Sequence, residues 1–213
     1  MKTTMHTFSG KLFDFANVQV DQIDIADIAR GLARQCRFAG QTVRFYSVAE
    51  HSIHCASLAR QLGAGIGIQL GCLLHDGHEA YTSDLVRPLK VALLRMEERS
   101  FGSMYDRMAA LVQGQIDVKF SLPPDDGIVH DIDNRMLHAE AEQMLVRYDH
   151  LEHWWTDPAR KLVPDADDNP VEACWEFDYY APDDAERVFL TWFEELYWNG
   201  WRPLCASKRT PTT

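Results

Sequence analysis

The segment IGIQLGCLLHDGHEAY, residues 66–81, places the strongest constraint on the fold, because it is apolar on most sides of a helix. Such a helix must be covered by other elements, so it is expected at the centre of the molecule. His75 and Asp76 interrupt its apolar surface. An imidazole beside a carboxylate is costly to bury without a partner, and a divalent cation satisfies both groups. A hydrogen-bonded structural pair is the alternative interpretation of this dipeptide.

Helical periodicity elsewhere predicts an all-α fold of about six helices. Asp24 can cap a first helix, whose apolar residues recur at the 3.6-residue period as far as residue 36. Ser47 and Glu50 form the capping-box pattern Ser-x-x-Glu, which predicts a second helix from Val48 to about Leu62. Beyond the central segment, helices are expected from about Leu93 to Gln115, from about Gly127 to Asp149 with Asp126 as its cap, and from about 183 to 198.

Three segments depart from the helical pattern. Residues 1–23 predict an irregular lead-in with a short strand or hairpin around Thr7 to Phe15. The segment DLVRPLK contains Pro88 and is expected to form a turn, and residues 156–170 are expected to form an exposed acidic loop. The sequence contains no internal repeat and no low-complexity tract, which favours one unit.

The size and composition of the chain also favour a single domain over residues 1–213. The chain is 46% hydrophobic and 25% charged, which suffices for one globular core. Its formal net charge is −11, from 21 basic and 32 acidic residues, and no run of Lys or Arg supplies a basic stripe. Nucleic acid is therefore not expected as a partner. The same charge repels phosphorylated substrates, so a site for them needs local positive charge from a metal ion or a few arginines.

Cysteine usage and hydropathy predict a cytoplasmic location. The five cysteines are scattered singly without a CxxC pair, which indicates reduced thiols rather than a disulfide framework. The N-terminal segment MKTTMHTFSGKLFDF has no apolar signal core, and no stretch approaches the roughly 18 apolar residues of a membrane span. A membrane partner is therefore not expected.

Helical phase turns one histidine of the second helix inward. His51 shares the apolar face with Val48 and Cys55, whereas His54 falls on the polar side with Glu50 and is expected to face solvent. His51 is therefore a candidate metal ligand. A core histidine satisfied by a hydrogen bond is the alternative.

Asp133 is the inward carboxylate of the helix that begins near Gly127. It shares a stripe with Met136 and Glu140, whereas Asp131 lies on another face. An inward Asp can bond a neighbouring backbone or an arginine, which is its usual environment. Inward metal-competent groups on three predicted helices nevertheless favour a shared site, because facing helices of a bundle can project ligands into one centre.

Three ordered motifs resemble the HD-domain phosphohydrolases, and most closely their 5'-deoxynucleotidase-like branch. They are YSVAEHS, then LLHDGHEAYTSDLVRPLK, then the Asp of DIDNRMLHAE, and they span about residues 37–140. The resemblance implies an HD-type helical bundle with one catalytic divalent metal ion. The mixed N/O donor set suits Mn, Co, Zn, Fe, Ni or Mg.

The resemblance also implies roles for individual residues. His51, His75, Asp76 and Asp133 match the four metal ligands. In the same comparison Glu79 and Asp84 match two further carboxylates beside the substrate and the attacking water, and Arg37 matches an arginine that contacts the phosphate. In a continuous helix Glu79 would lie one turn after His75 on the same face, where it can orient water or pass a proton. A solvated surface glutamate at Glu79 and a helix cap at Asp84 remain the alternatives.

Other residues near the motifs are weaker candidates for substrate contact. Arg87 and Lys90 would add positive charge, although each is equally explained as an ordinary surface cation. Phe38 and Tyr81 are candidates for contact with a nucleobase, with core packing as the alternative, and the role of His78 stays open. The tryptophans toward the C-terminus predict packing or a self-association surface, so a homo-oligomer is a candidate state: Trp154, Trp155, Trp192, Trp198 and Trp201.

The resemblance implies hydrolysis of a small-molecule deoxynucleotide by a water that the metal activates. The substrate is either a monophosphate, which gives nucleoside and phosphate, or a triphosphate, which gives nucleoside and triphosphate. Two alternatives stay open: another HD-type phosphodiesterase or pyrophosphohydrolase, and a non-catalytic helical interaction module in which the metal is structural.

Overall fold

The computed structural model describes residues 2–96, 103–124, 126–146 and 175–202, and most of these residues are helical. The all-α class expected from the sequence is confirmed. The strands are β1 Thr4–His6 and β2 Leu12–Asp14, and the helices are α1 Ile25–Ala33, α2 Val48–Gln61, α3 Ile66–Leu74, α4 Glu79–Thr82, α5 Arg87–Met96, α6 Met104–Phe120, α7 Ile128–Met144 and α8 Pro182–Phe193. Short 3-10 turns at Val20–Gln22 and Arg37–Gly40 and a π-helical stretch at Glu194–Trp201 complete these elements.

The N-terminal hairpin forms near its expected place. β1 and β2 pair antiparallel with Met5 opposite Phe13. Phe13 is fully buried and stacks on Tyr81 of α4 with ring centroids 4.3 Å apart. The hairpin therefore covers the helical core with one aromatic side chain rather than forming a separate unit.

Two of the predicted helix starts are confirmed by their caps. The Asp24 side chain accepts a hydrogen bond from the Ala26 N–H at the start of α1, and the Ser47 hydroxyl accepts one from the Glu50 N–H at the start of α2. The Glu50 carboxylate accepts the backbone N–H groups of Tyr179 and Tyr180, at 2.6 and 3.0 Å, and so ties a distant segment to α2.

The central segment is not one helix, contrary to the sequence-based expectation. α3 ends at Leu74 and α4 begins at Glu79, because the chain tightens through i→i+3 hydrogen bonds from Gly77 N to Leu74 O and from Glu79 N to Asp76 O. A Cβ on Gly77 would lie 3.0 Å from Leu74 O and 3.0 Å from Ile116 Cδ1, so a side chain here would be crowded and glycine favours the tight approach. His75 and Asp76 consequently lie at the end of a helix instead of within one.

Helix boundaries after the central segment also differ from expectation. The segment DLVRPLK is not simply a turn, since α5 begins at Arg87 with Pro88 in its first turn, where the missing N–H costs nothing. The single helix expected from Leu93 to Gln115 is replaced by α5 and α6, and α6 has its own capping box from Ser103 and Asp106. α7 ends at Met144, earlier than expected, and the acidic loop at 156–170 lies outside the described residues.

The buried core lies between α2, α3 and the C-terminal helix. Leu58 of α2, Leu70 of α3 and Phe189 of α8 are all fully buried.

The C-terminal tryptophans have different environments. Trp201 packs against the core and donates its indole N–H to the Ser121 carbonyl, whereas Trp198 is 46% exposed. The Arg60 guanidinium lies over the Trp192 ring. Trp154 and Trp155 lie outside the described residues. Within the described residues, no helix combines the length and the apolar character that crossing a membrane requires.

The close contact of α1 with α4 predicts a stability effect. A Cβ on Gly31 would lie 2.8 Å from Ala80 Cβ and 2.9 Å from Ala80 Cα, so Gly31→Ala should push the two helices apart. We expect a loss of about 1–3 kcal/mol in the free energy of unfolding, measured by urea denaturation. Gly114→Ala in α6 is the matched control. Among the described residues a Cβ there meets nothing within 4 Å, so the better helix former should stabilise the protein by up to about 1 kcal/mol. Equal effects of the two substitutions would contradict this account of the α1–α4 contact.

Candidate metal centre

Four side chains from three segments converge on one point. The Nε2 atom of His51, on α2, lies 3.1 Å from Asp133 Oδ1 on α7 and 3.3 Å from His75 Nε2 at the end of α3. Asp76 Oδ2 lies 3.3 Å from His75 Nε2 and 3.7 Å from His51 Nε2. Donor atoms that share one metal ion at about 2.1 Å are separated by about 3.0–3.4 Å. Three of these four distances match a common divalent cation, and the His51–Asp76 pair is about 0.3 Å wider than that range.

The remaining ring nitrogens determine which atoms face this point. His75 donates its Nδ1 proton to the Cys72 carbonyl at 2.7 Å, and His51 donates its Nδ1 proton to Glu140 at 2.6 Å. Both rings thus direct Nε2 toward the two carboxylates, as a lone pair when the imidazole is neutral and as an N–H donor when it is protonated. Two imidazole nitrogens and two carboxylates this close together repel one another unless protons or a metal ion lie between them. These four groups are therefore suited to bind a cation.

Electrostatics of the cluster favour the same conclusion. Burial would lower the pKa of His75, but the neighbouring carboxylates Asp76 and Asp133 raise it to about 10. Burial would raise the pKa of Asp133, yet hydrogen bonds from His51 and His75 hold that pKa well below its usual range. The carboxylates are therefore ionised, and a proton on the imidazole and a divalent ion are alternative ways to balance them.

Cys55 adds a thiol to this cluster. One donor atom from each of His51, Cys55, His75 and Asp133 lies within 4.8 Å of the others, so these four residues could hold a metal ion, and Cys55 Sγ is 3.5 Å from His51 Nε2. Burial raises the pKa of the Cys55 thiol well above its ordinary value, which disfavours the thiolate that a metal would need. Cys55 follows His51 by one helical turn on the inward stripe, which is the sequence signal for this contact.

A cleft of about 300 Å³ opens beside the candidate metal ligands. Its walls bring together eight of the eleven candidate residues predicted from the sequence: Arg37, Phe38, Asp76, Glu79, Asp84, Arg87, Lys90 and Asp133. His51 and His75 are absent from the lining, and His51 is fully buried. The two carboxylates of the metal set thus face both the histidines and the cleft.

Glu79 is not a solvated surface residue, because it is only 3% exposed. Burial first, and then repulsion by Asp76 and Asp84, raise the pKa of Glu79 to about 9, so its carboxyl group keeps a proton at neutral pH. Lys90 Nζ lies 3.8 Å from Glu79 Oε1. Burial also raises the pKa of Asp84. The cleft therefore holds a buried acid next to the metal ligands.

Arg37 supplies buried positive charge to the same cleft. It lies in the turn Arg37–Gly40, where Phe38 and Ala39 adopt left-handed backbone angles with φ of 54° and 52°. Its Nε donates to Glu140 Oε2 at 3.1 Å, and its Nη1 lies 3.5 Å from Asp76 Oδ2. The turn presents the Phe38 ring 5.6 Å from the guanidinium. A ligand with an anionic group and a planar ring could therefore contact the Arg37 guanidinium with the first and the Phe38 ring with the second.

The structure corrects the expectation for His54, bears out the core-packing alternative for Tyr81, and puts His78 outside the cleft. His54 is 4% exposed instead of facing solvent, since the Trp175 indole N–H donates to its Nδ1 at 3.0 Å. Tyr81 is buried against the hairpin and its hydroxyl accepts the Asp24 N–H, so it does not line the cleft. His78 does not line the cleft either, and its Nδ1 is buried without a hydrogen-bond partner in the described structure.

Glu140 is the largest omission of the sequence-based interpretation. It was placed on the inward stripe of α7 but given no role, although it contacts His51 and Arg37 and is fully buried. Its spacing of seven residues from Asp133, two helical turns, was the available signal.

Comparisons with known proteins agree with this geometry. The family model described as HD domain matches residues 48–167, more than half of the chain. The uncharacterized protein YfdR of Escherichia coli is 40% identical over 118 residues, which cover 55% of this chain and 58% of that protein. The uncharacterized protein RCAP_rcc00048 of Rhodobacter capsulatus is 34% identical over 141 residues, which cover 64% of this chain and 70% of that protein. The match to YfdR thus spans less than two thirds of its length.

Proposed function

Because the chain belongs to the HD domain family, whose members are generally metal-dependent phosphohydrolases, we propose that it hydrolyses deoxynucleoside monophosphates to the nucleoside and phosphate. This places it with the 5'-deoxynucleotidase-like branch. One observation carries the proposal: an imidazole–carboxylate donor set adjoins a cleft that also holds an arginine with only 12% of its side chain exposed and a buried glutamate whose pKa is raised to about 9.

His51, His75, Asp76 and Asp133 would hold the divalent cation. When bound, the cation would neutralise charge on a phosphoryl oxygen and lower the pKa of a water molecule. Asp76 is a better fourth ligand than Cys55, because attraction to His75 offsets the effect of burial and keeps the pKa of Asp76 below its usual value. Burial, in contrast, raises the pKa of the Cys55 thiol well above its usual value, so a metal ion would first have to displace its proton.

The protein's own residues account for the other requirements of the reaction. Arg37 presents a permanent positive charge to the cleft and would bind phosphoryl oxygens. Glu79 carries a proton at neutral pH and would give it to the 5'-oxygen as the ester bond from phosphorus to that oxygen breaks. Attack of water on phosphorus then supplies the proton that restores Glu79. Phe38 would contact the nucleobase from the edge of the cleft.

Charge balance in the cleft supports a monophosphate over a triphosphate. Three lining cations and four lining carboxyl groups leave one net negative charge. A divalent ion would reverse this to one positive charge, and the proton on Glu79 makes it two. Glu140, which pairs with Arg37 from outside the lining, brings the local charge back to one positive. This charge is closer to what a phosphate dianion needs than to what a triphosphate needs. In addition, Arg87 already contacts Asn134 at 3.4 Å, so the cationic surface beyond the metal is small.

Product identification tests the proposal. The protein is loaded with Mn²⁺, Co²⁺, Zn²⁺, Ni²⁺, Fe²⁺ or Mg²⁺ in turn and incubated with ribo- and deoxynucleoside mono- and triphosphates, with chelated protein as the control. We expect inorganic phosphate and nucleoside from deoxynucleoside monophosphates, and a slower reaction with ribonucleotides. Release of intact triphosphate would contradict the substrate class. Metal binding without any product would favour the structural interaction module instead.

A further inference from the structure

The carboxylate of Glu140 lies below both the metal centre and the cleft, and it is fully buried. Its Oε1 accepts hydrogen bonds from His51 Nδ1 at 2.6 Å and from the Tyr46 hydroxyl at 2.9 Å. Its Oε2 accepts one from Arg37 Nε at 3.1 Å. One buried side chain thus contacts a candidate metal ligand and the candidate phosphate-binding arginine with its two oxygens.

We propose that Glu140 is a positioning residue that couples the cation site to the anion site, by fixing His51 with one oxygen and Arg37 with the other. The inference rests on the proposed function, in which His51 holds the metal ion and Arg37 binds a phosphoryl group. It adds that the two sites share one support, so that a change at Glu140 weakens both.

The contact with His51 sets the tautomer of the imidazole. A carboxylate can only accept, so the short hydrogen bond places the proton on Nδ1 and leaves the Nε2 lone pair facing Asp133 and His75. Without Glu140 the proton can move to Nε2, where it would block a metal ion.

The contact with Arg37 limits how closely the guanidinium can approach the candidate metal ligands. Arg37 Nη1 is already 3.5 Å from Asp76 Oδ2. If Glu140 did not hold Nε, the attraction of Asp76 would draw the guanidinium over that carboxylate. Arg37 would then compete with the cation for Asp76 and no longer present its N–H groups to the cleft.

A carboxylate is required because three donors converge on Glu140. The His51 ring N–H, the Tyr46 O–H and the Arg37 N–H all need acceptor lone pairs, which two ionised oxygens supply. A glutamine has one acceptor oxygen, and its amide NH₂ group would face one of the two N–H donors, His51 or Arg37. Glu140→Gln can therefore satisfy His51 or Arg37, but not both.

Binding measurements on the full chain test the coupling without turnover. Titration calorimetry gives the dissociation constant of Mn²⁺ alone, and then of inorganic phosphate at saturating Mn²⁺. We expect Glu140→Gln to weaken Mn²⁺ binding by about 10–100-fold and phosphate binding by about tenfold. In an Arg37→Ala background the same substitution should still weaken Mn²⁺ binding but no longer change phosphate binding.

Glu50→Gln is the matched structural control. Glu50 is also a fully buried glutamate with three partners, but these are His54 and the backbone of residues 179 and 180. It should lower the unfolding temperature and leave both dissociation constants within about twofold of wild type. If Glu140→Gln does not fold, Glu140→Asp, which keeps the charge but is one methylene shorter, is measured in its place with the same expected directions.

Two results would overturn the proposal. One is wild-type Mn²⁺ affinity in the folded Glu140 variant, and the other is a loss of Mn²⁺ affinity with phosphate affinity unchanged, which would limit Glu140 to orienting His51. The dissociation constants of Mn²⁺ and phosphate can be measured whether or not the protein hydrolyses nucleotides. Absence of phosphatase activity in the nucleotide panel would therefore count against the proposed function and not against the role of Glu140.

Discussion

Replacing Asp76 by alanine is expected to leave a folded protein that no longer retains a divalent ion and releases phosphate at least about 10³-fold more slowly than wild type. Loss of an outer partner of a metal ligand already costs about 10–100-fold, and Asp76 would itself be a ligand. Its side chain faces the cleft and the histidines, while only its backbone carbonyl holds the turn before α4. The fold should therefore survive. Metal content after dialysis, phosphate release and thermal unfolding together check this.

Asp131→Ala is the matched control for Asp76→Ala. Asp131 is an exposed carboxylate on α7, two residues from Asp133. Its removal should change neither the metal content nor the rate. Equal metal retention by Asp76→Ala and wild type would show that Asp76 is not a ligand, and would move attention to Cys55 as the fourth donor.

Replacing Glu79 by glutamine is expected to lower kcat by about 10²–10⁴-fold, because the amide cannot deliver a proton to the leaving oxygen. Metal binding should persist, since Glu79 does not belong to the donor set. The exposed Glu176, changed to glutamine, is the control and should keep the wild-type rate. A rate within about threefold of wild type for Glu79→Gln would exclude Glu79 as the general acid.

The same substitution should stabilise the metal-free protein in a pH-dependent way. The pKa of Glu79 is about 9 in the folded state, because of burial and the neighbouring Asp76 and Asp84, against an ordinary value of 4.5. Below pH 4.5 the folded and unfolded chains both carry the proton, so the carboxyl group costs nothing. As the pH rises toward 9 the unfolded chain ionises while the folded chain does not, and stability falls.

Glutamine removes that cost, so the unfolding temperature of Glu79→Gln should match wild type near pH 4. It should exceed wild type by at least about 2–4 °C near pH 8, which corresponds to roughly 1 kcal/mol in a domain of this size. Thermal unfolding of chelated protein across this range provides the measurement. Parallel curves for variant and wild type would contradict a protonated Glu79.

Helical phase was sufficient to place the two candidate ligands that lie inside regular helices. His51 on α2 and Asp133 on α7 both point inward as their spacing predicts, because a residue that shares the apolar stripe of a helix shares its direction. The roles of these residues as metal ligands stay a prediction, since distances describe an arrangement and not a bound ion.

Phase failed where the chain left the regular helix. Glu79 was placed one turn after His75 on a continuous helix, but the turn at Gly77 separates them. Glu79 still enters the cleft, although for a tertiary reason that local spacing does not contain. The interpretation of His54 failed similarly, because its covering residue Trp175 lies 121 positions later in the chain. Contacts of such separation leave no periodic signal.

Residues 175–180 are hydrogen-bonded to α2, so the part of the chain that folds as one unit extends at least to these residues. The family match ends at residue 167, yet Trp175, Tyr179 and Tyr180 bond the helix that carries His51. A fragment trimmed to the matched stretch would leave the Glu50 carboxylate and the His54 ring without these donors, beside a hydrophobic surface that α8 had covered. The segment that follows the family match therefore belongs to the same folded unit as α2, and a fragment of this chain that keeps α2 in its observed environment has to include α8.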